Sequence, residues 1–196
     1  MAASRATPDK AERRTQLLES LADAIAETGL EGVSIRDLAT RAGVSIGTVQ
    51  YYFSTKTELL LGAWHHVAAQ AEQRYRQSGI ADLSAREQLL SFTELLISPT
   101  PEHRLSHVWL ALVSRAAHDP EIADLHRSQW QGTADMLGRM LTAANPAREP
   151  ESADAATELL ALLDGLSISV LTEPTRVSPE RARRIARTWV RSWLDS

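Results

Sequence analysis

Apolar side chains recur along most of the chain at spacings of three and four residues, which is the period of an amphipathic helix. Gly29 follows the first such run, in the position where helices commonly end. The run itself places apolar residues at Leu17, Leu18, Leu21, Ala22 and Ile25. No stretch keeps the strict alternation of apolar and polar residues that a half-buried strand requires. The pattern therefore predicts an all-α fold.

Helix boundaries are marked by residues that cap or interrupt helices. Ser34, Ser45 and Thr55 are favourable N-caps, and prolines interrupt the later connections. Together these signals predict about nine helices. Their approximate ranges are 12–28, 35–42, 46–53, 56–77, 84–97, 102–117, 120–143, 152–171 and 179–194.

Two of the predicted helices are short, and only the segment Gly43–Ser45 joins them. Two short helices joined by a turn that contains glycine have the proportions of a helix-turn-helix. In the second of these helices, Ile46, Val49 and Phe53 lie at i, i+3 and i+7 and form one apolar stripe. We expect this stripe to anchor the helix to its neighbours.

The other faces of this short helix carry residues that suit a DNA groove. Gln50 can pair with the edge of an adenine, and free backbone N–H groups near Ser45 favour phosphate. Lys56 and Arg36 supply cations at neighbouring helix starts. Packing beneath a neighbouring helix is the alternative, but the turn, the caps and the lysine together favour DNA. The outward set is Gly47, Thr48, Gln50, Tyr51 and Tyr52.

The stretch from Thr28 to Leu60, TGLEGVSIRDLATRAGVSIGTVQYYFSTKTELL, resembles the N-terminal domain of the TetR family of transcriptional regulators. Gln50 stands where the family usually has tyrosine. A subset of the family with a GTVQ run, similar to the betaine-synthesis repressor BetI, also has glutamine at this position. The difference bears on which bases are preferred. The resemblance covers about residues 12–60 and rests on Gly29, Gly32, Ala39, Ala42-Gly43-Val44-Ser45, Gly47, Tyr52-Phe53, Lys56 and Leu59.

The resemblance implies a ligand-responsive homodimer that binds double-stranded operator DNA, usually represses, and is released by a small-molecule effector. It divides the chain into a DNA-binding domain, residues 1–55, and a helical effector-binding and dimerisation domain, residues 56–196. Activation instead of repression stays an alternative, as does a helical ligand-binding or scaffold protein without DNA binding. The implied DNA contacts are Ser34, Arg36, Ser45, Gly47, Thr48, Gln50, Tyr51, Tyr52 and Lys56.

The helix predicted over 152–171 is apolar almost all round from Leu159 onward, so it needs cover on more than one side. One cover is its own core, and we expect the other to be a second copy of the chain. A monomer with an internal central helix is the alternative. In the TetR family the last two helices usually form the dimer interface. The predicted interface residues are Leu159, Leu163, Leu166, Val170, Ile185, Trp189 and Trp193.

The last predicted helix also carries a basic face, formed by Arg181, Arg183, Arg184, Arg187 and Arg191. A second nucleic-acid surface is one interpretation. A solvated face beside acidic neighbours is the other, and we favour it.

Bulky side chains on the middle helices are candidates for the effector pocket, although aromatic residues at helical spacing also build cores. His66, His107 and Asp164 are candidate polar groups in that pocket. His103 and His107, at i and i+4, could share a metal, but no third ligand is evident and no catalytic motif occurs. We therefore expect no metal, no cofactor and no enzymatic activity. The pocket candidates are Trp64, Phe92, Trp109, Trp130, Met136 and Met140.

Charge and composition change this picture in two respects. The net charge is −4, yet residues 1–56 hold equal numbers of acidic and basic residues, so the excess negative charge lies in the remainder. The chain has no cysteine, which excludes disulfides and thiolate metal sites. The polar N-terminus has no apolar h-region, so we expect no export signal, and no uninterrupted run of about eighteen apolar residues occurs. We expect a cytoplasmic protein without a membrane partner.

Overall fold

The computed structural model describes residues 10–195, and within them the chain forms nine α-helices and no strand. This confirms the predicted all-α fold. The polar N-terminal stretch to residue 9, with Arg5 among its charges, lies outside the described residues. The helices are α1 (Lys10–Gly32), α2 (Ile35–Ala42), α3 (Ile46–Tyr52), α4 (Lys56–Gln77), α5 (Ala85–Leu95), α6 (Arg104–Ala116), α7 (Pro120–Ala144), α8 (Ser152–Thr172) and α9 (Pro179–Asp195).

The predicted caps fix the ends of the first helices. The Ser34, Ser45 and Thr55 side chains accept hydrogen bonds from backbone N–H groups in the first turns of α2, α3 and α4. Gly43 ends α2 with φ of 64°, a left-handed conformation that costs glycine little. Gly29, with φ of 69°, interrupts α1 where the sequence predicted its end, and one further turn continues to Gly32. These signals set the short connections that bring α2 and α3 together.

The first hydrophobic core joins the N-terminal helices to the rest of the chain. Leu17 on α1, Leu60 on α4 and Leu112 on α6 are completely buried within one cluster. Val49 in the middle of α3 and Phe53 at its C-cap are buried in the same cluster. This core contains residues from both sides of the predicted domain boundary between residues 55 and 56. It does not separate the two predicted domains, and the boundary stays a prediction. It also ties the position of α3 to α4 and α6.

The second core lies among α5, α7, α8 and α9, and it corrects part of the predicted dimer interface. Leu159, Leu163 and Val170 are at most 1% exposed within a single chain, so they cannot meet a partner. Leu166 and Trp193 belong to the same core. For Leu159, Leu163 and Val170, the chain's own helices α6, α7 and α9 cover this side of α8, whereas an interface role for Leu166 and Trp193 stays a prediction.

The stretch Pro146–Thr172 is long and apolar enough, by length and composition, to cross a membrane. The sequence analysis considered only uninterrupted runs of apolar residues. That criterion was too strict, because a stretch that contains a few polar residues can still have a high mean hydropathy. The inner side of this stretch packs in the second core, and the core helix of a soluble protein passes the same test.

Gly62 offers a test of the packing between α4 and the N-terminal helices. A Cβ atom there would lie 2.9 Å from Phe53 Cε1 and 3.0 Å from Leu18 Cδ2, both in buried side chains. We expect Gly62→Ala to lower the free energy of unfolding by about 1–2 kcal/mol, because overpacking outweighs the gain in helix propensity. Urea unfolding followed by circular dichroism measures the change.

The matched control is Gly132→Ala on α7, where an added Cβ meets nothing within 4 Å. That variant should gain about 0.5–1 kcal/mol, since alanine favours the helix over glycine. Equal stabilisation by both substitutions would contradict a tight contact at Gly62.

Candidate functional site

The recognition segment α3 is held on one side and open on the other. Val49 is completely buried and anchors the helix, while Gln50 is exposed and Tyr51 is 68% exposed. The Thr48 N–H donates to the Ser45 hydroxyl, and the two side-chain oxygens lie 2.9 Å apart. The N-terminal turn of α3 therefore presents hydroxyl groups beside an exposed amide and an exposed phenol.

Two residues of this segment differ from the prediction. Ile46 is 42% exposed and does not join the anchoring stripe, because a side chain in the first turn leans towards the helix N-terminus, beyond the packed neighbours. Tyr52 is only half-exposed, since its ring packs against the first core and its hydroxyl donates to the Lys10 carbonyl at 3.3 Å. The outward face thus includes Ile46 and shares Tyr52 with α1.

Cations surround this face, and some are already paired. Lys56 lies 2.9 Å from the Glu31 carboxylate, and that hydrogen bond holds the pKa of Glu31 below its usual value. Lys10, which the sequence reasoning did not select, places its ammonium 5.3 Å from the centre of the Tyr51 ring. Arg36 is exposed at the start of α2 beside the Ser34 cap. Lys10 thus adds a cation directly at α3, while Arg36 and Lys56 lie at the starts of the neighbouring helices α2 and α4.

A second candidate site is a cavity of about 560 Å³ enclosed by α4, α5, α6, α7 and α8. Met140 does not line it, because its side chain packs in the second core one turn beyond Met136. The predicted residues that do line it are Trp64, Phe92, Trp109, Trp130 and Met136.

Trp130 is the centre of an aromatic cluster in this cavity. Its ring stacks on Trp109 with centroids 5.8 Å apart, stacks on His126 at 4.7 Å, and lies 6.0 Å from Trp64 at a tilt. The indole N–H of Trp130 donates to Asp164 Oδ2 at 2.7 Å. Burial raises the pKa of Asp164 to about 6, although the hydrogen bond from Trp130 lowers it in part. A carboxylate thus lies beside the Trp130 indole, which belongs to a cluster of three indole rings.

The histidines are distributed differently from the prediction. His103 lines the cavity, and burial, together with nearby cations, lowers its pKa to about 4, so its ring is neutral near pH 7. His66 and His107 do not line the cavity, since His66 bonds to Gln70 and His107 bonds to the Pro101 carbonyl. Among residues 10–195, no three metal-ligating side chains gather at one place.

The sequence reasoning also missed a stripe of α4 that forms one wall of the cavity. Ala68, Ala71 and Tyr75 follow Trp64 at helical spacing and all line the space. The signal was present in the sequence as two alanines between two aromatic residues. Small residues in the middle of a face leave room that larger ones would fill.

Two family profiles match the chain over most of its length. The profile described as "Bacterial regulatory proteins, tetR family" matches residues 17–63, and "BetI-type transcriptional repressor, C-terminal" matches residues 85–195. The chain belongs to the TetR family. The second match confirms the resemblance to the BetI-like subset.

Relatives of known name agree with this assignment. The regulator PksA of Bacillus subtilis (strain 168) is 31% identical over 187 residues, which cover 94% of this chain and 91% of PksA. BetI of Burkholderia thailandensis is 32% identical over 161 residues, 79% of each chain. A regulator of Saccharomonospora viridis, solved in complex with choline, has a TM-score of 0.85 at 27% identity, covering 93% of this chain and 97% of that one. This TetR-family protein is a ligand-responsive, DNA-binding transcriptional regulator.

Proposed function

We propose that this TetR-family protein is a cytoplasmic, dimeric repressor that holds operator DNA through α3 and leaves it when an organic cation fills the cavity. The observation that carries the proposal is the pair of open sites at the two ends of one helix. Lys56, beside the DNA-facing side of α3, begins α4, and Trp64 on the same helix lines the cavity. The protein acts by binding alone.

At the DNA face, we assign base contacts to the side chains that have specific hydrogen-bonding patterns. We assign phosphate contacts to the cations and hydroxyl groups. Gln50 and Thr48 reach base edges from the exposed side of α3. Ile46, exposed at the start of α3, adds an apolar contact for a thymine methyl group. Tyr51 contacts phosphate, and Tyr52 mainly holds α3 against α1. The remaining assigned phosphate contacts are Ser34, Arg36, Ser45, Gly47 and Lys56.

The proposed dimer face is the outer side of α8 and α9. Ala161 and Gly165 are exposed on α8, and an added Cβ at Gly165 would meet nothing in its own chain. On α9, Ile185 is 37% exposed and Trp189 is half-buried. The Trp189 indole N–H donates to Glu158 on α8 at 2.9 Å, so the two outer faces are continuous. A two-fold pairing through them would give two recognition helices for successive major grooves.

The basic face of α9 is largely used within the chain. Arg187 pairs with Glu94, Arg183 donates to the Pro99 carbonyl, and Arg181 donates to the Arg176 carbonyl. We therefore assign this face to structural contacts and solvent, not to a second nucleic-acid surface.

The cavity has the chemistry of an organic-cation site. Indole faces attract quaternary ammonium groups, and a carboxylate beside them supplies the opposite charge. Trp64, Trp109 and Trp130 provide the rings, and Asp164 provides the charge. The structural neighbour from Saccharomonospora viridis binds choline, a quaternary ammonium compound. We propose the same class of effector for this chain.

A hydrogen bond links the cavity to the DNA-binding end. The Thr57 hydroxyl donates to Asp119 at 3.0 Å, and Asp119 accepts backbone N–H bonds as the N-cap of α7. Trp130 lies on α7, and Thr57 follows Lys56 at the start of α4. A cation that alters the contact between Trp130 and Asp164 would therefore shift α7 against the start of α4. The effector can release DNA only by as much as it prefers the shifted state.

Lys56→Ala tests the DNA face. We expect weaker binding to a duplex from the protein's own upstream region, about equally for all operator variants, because a phosphate contact is lost. The salt slope of log affinity should fall by about one for each lysine removed. Fluorescence anisotropy over a salt series measures both, and sedimentation of the complex should show two chains per duplex.

Glu31→Gln is the matched control, because it frees Lys56 without removing it and should not weaken binding. Gln50→Ala should instead change the ranking of operator variants. A salt slope unaltered by Lys56→Ala would remove Lys56 from the phosphate contacts. A failure of the unaltered protein to bind any such duplex would favour a ligand-binding module without DNA activity.

The raised pKa of Asp164 predicts a pH dependence of effector binding. A cation favours the ionised carboxylate, so protonation removes the attraction, and affinity for choline should fall as the pH is lowered through about 6. His103 stays neutral until about pH 4 and does not contribute in this window. Isothermal titration calorimetry across the range gives the profile. Asp164→Asn should bind weakly with a flat profile, and parallel profiles would contradict the role of Asp164.

Thr57→Val tests the link between the sites, since valine keeps the shape of threonine but cannot donate to Asp119. We expect effector binding and DNA binding to persist separately, while the effect of one on the other falls about fivefold, within the usual range of coupling energies. Operator affinity measured with and without saturating choline gives this ratio. Thr55→Val, at the nearby cap, should alter stability without changing the ratio, and an unchanged ratio in Thr57→Val would exclude the link.

A further inference from the structure

The cavity follows α4 for three helical turns. Its wall on this helix contains Trp64, Ala68, Ala71, Glu72 and Tyr75, which lie on one face at spacings of three and four residues. At about 1.5 Å of rise per residue, Trp64 and Tyr75 are about 16 Å apart along the helix axis. The space is therefore elongated, and a quaternary ammonium head occupies only one part of it.

The two ends of the cavity differ in chemistry. Asp164 and the indole ring of Trp130 lie at the end near Trp64. At the other end, the Tyr75 and Phe92 rings meet edge to face at 5.4 Å, next to Leu96 of the following turn. One end thus suits a cation, and the other suits an apolar group.

Charged groups near the apolar end are bound to other groups of the protein. Glu94 pairs with Arg187, and Glu72 pairs with Arg76 on the same helix. Arg183 donates to the Pro99 carbonyl. Arg74, which also lines the cavity, donates to the Gln70 carbonyl of its own helix. Each of these rim charges thus has a protein partner, and between the two ends Ala68 and Ala71 form the wall on α4.

The middle of the cavity is kept open by small residues. Ala68 and Ala71 face the space from α4, and Leu160 and Leu163 face it from α8. A cavity of about 560 Å³ lies within the usual range for drug-sized ligands, whereas choline extends from its head by only a hydroxyethyl arm. A ligand that fills the space must continue from the cation end past the two alanines.

We propose that the effector is an amphiphilic organic cation, whose quaternary ammonium head lies among Trp64, Trp130 and Asp164 and whose apolar chain lies along Ala68 and Ala71 towards Phe92. This inference rests on the proposed cation site and adds the size and polarity of the rest of the ligand. Burial of each added methylene should strengthen binding about threefold to fourfold until the chain reaches Tyr75.

The test is a chain-length series measured by isothermal titration calorimetry with the full-length protein. The probes are tetramethylammonium, choline, butyltrimethylammonium and octyltrimethylammonium. We expect octyltrimethylammonium to bind at least about a hundredfold more tightly than tetramethylammonium, and to release operator DNA at correspondingly lower concentration. Octyl sulfate, with the same chain and the opposite charge, should bind far more weakly.

Ala71→Leu places a larger side chain in the middle of the channel. It should remove the advantage of the octyl chain while leaving tetramethylammonium affinity within about twofold, which also shows that the variant is folded at the cation end. Ala69→Leu is the matched control, because Ala69 is exposed on the other side of α4 and should change neither affinity.

The outcomes separate this inference from the proposed function. Equal affinity for choline and octyltrimethylammonium would overturn the amphiphilic effector and leave the cation site standing. Absence of binding for every cation would overturn the cation site itself. Equal binding of octyl sulfate would overturn recognition of the charge. Dodecylphosphocholine tests a phospholipid source. Because its phosphate would be repelled by Asp164, we expect it to bind more weakly than a simple cation with the same chain. Tighter binding of dodecylphosphocholine would overturn a free cation as the effector.

Discussion

The rest of the structure depends on helix α4 being packed into the protein at its DNA-binding end. Leu59, Leu60 and Ala63 are buried against the N-terminal helices. From Trp64 onward, the same helix forms a wall of the cavity. Because closely packed interiors transmit strain without absorbing it, a shift of the cavity wall must appear at Lys56. We propose that α4 couples the two sites as one rigid element, together with the contact between Thr57 and Asp119.

The half-buried carboxylate of Asp164 is the reason why we propose a cation as the ligand of the cavity. An ionised group loses hydration on burial, and one hydrogen bond from Trp130 compensates only in part. A quaternary ammonium head supplies the missing opposite charge without requiring hydrogen bonds of its own. In the proposed complex the cation acts mainly on Asp164 and Trp130, and Trp130 lies on the helix whose N-cap contacts Thr57.

The sequence predicted the helices and their ends well, because capping residues and hydrophobic period act locally. It predicted the recognition segment because Val49 and Phe53 leave one clear outward side. The sequence wrongly predicted that Ile46 is buried. The helical period continues to this residue, but no neighbouring helix packs against it. Periodicity indicates that a residue faces an apolar environment, but it does not identify the residues that form this environment.

The same limit accounts for the errors in the larger domain. Leu159 and Leu163 were assigned to a partner chain, but α8 has more than one apolar side and the protomer covers theirs. Met140 and Met136 are equally plausible from the sequence as cavity residues, and only the rotation of α7 about its axis separates them. The cavity itself arises where Ala68 and Ala71 fail to fill space, which a search for large side chains does not detect.

The uneven distribution of charge along the chain agrees with the proposed separation between a DNA-binding part and an effector-binding part. Residues 1–56 are neutral overall, and Glu31 and Glu27 are paired with Lys56 and Arg41, so the DNA face relies on a few placed cations. The remainder carries the whole excess negative charge, which raises the local concentration of cations around the cavity. An anionic effector would meet both this field and the Asp164 carboxylate. The charge distribution therefore agrees with the proposed positive charge of the ligand, and the aromatic rings agree with its quaternary ammonium head.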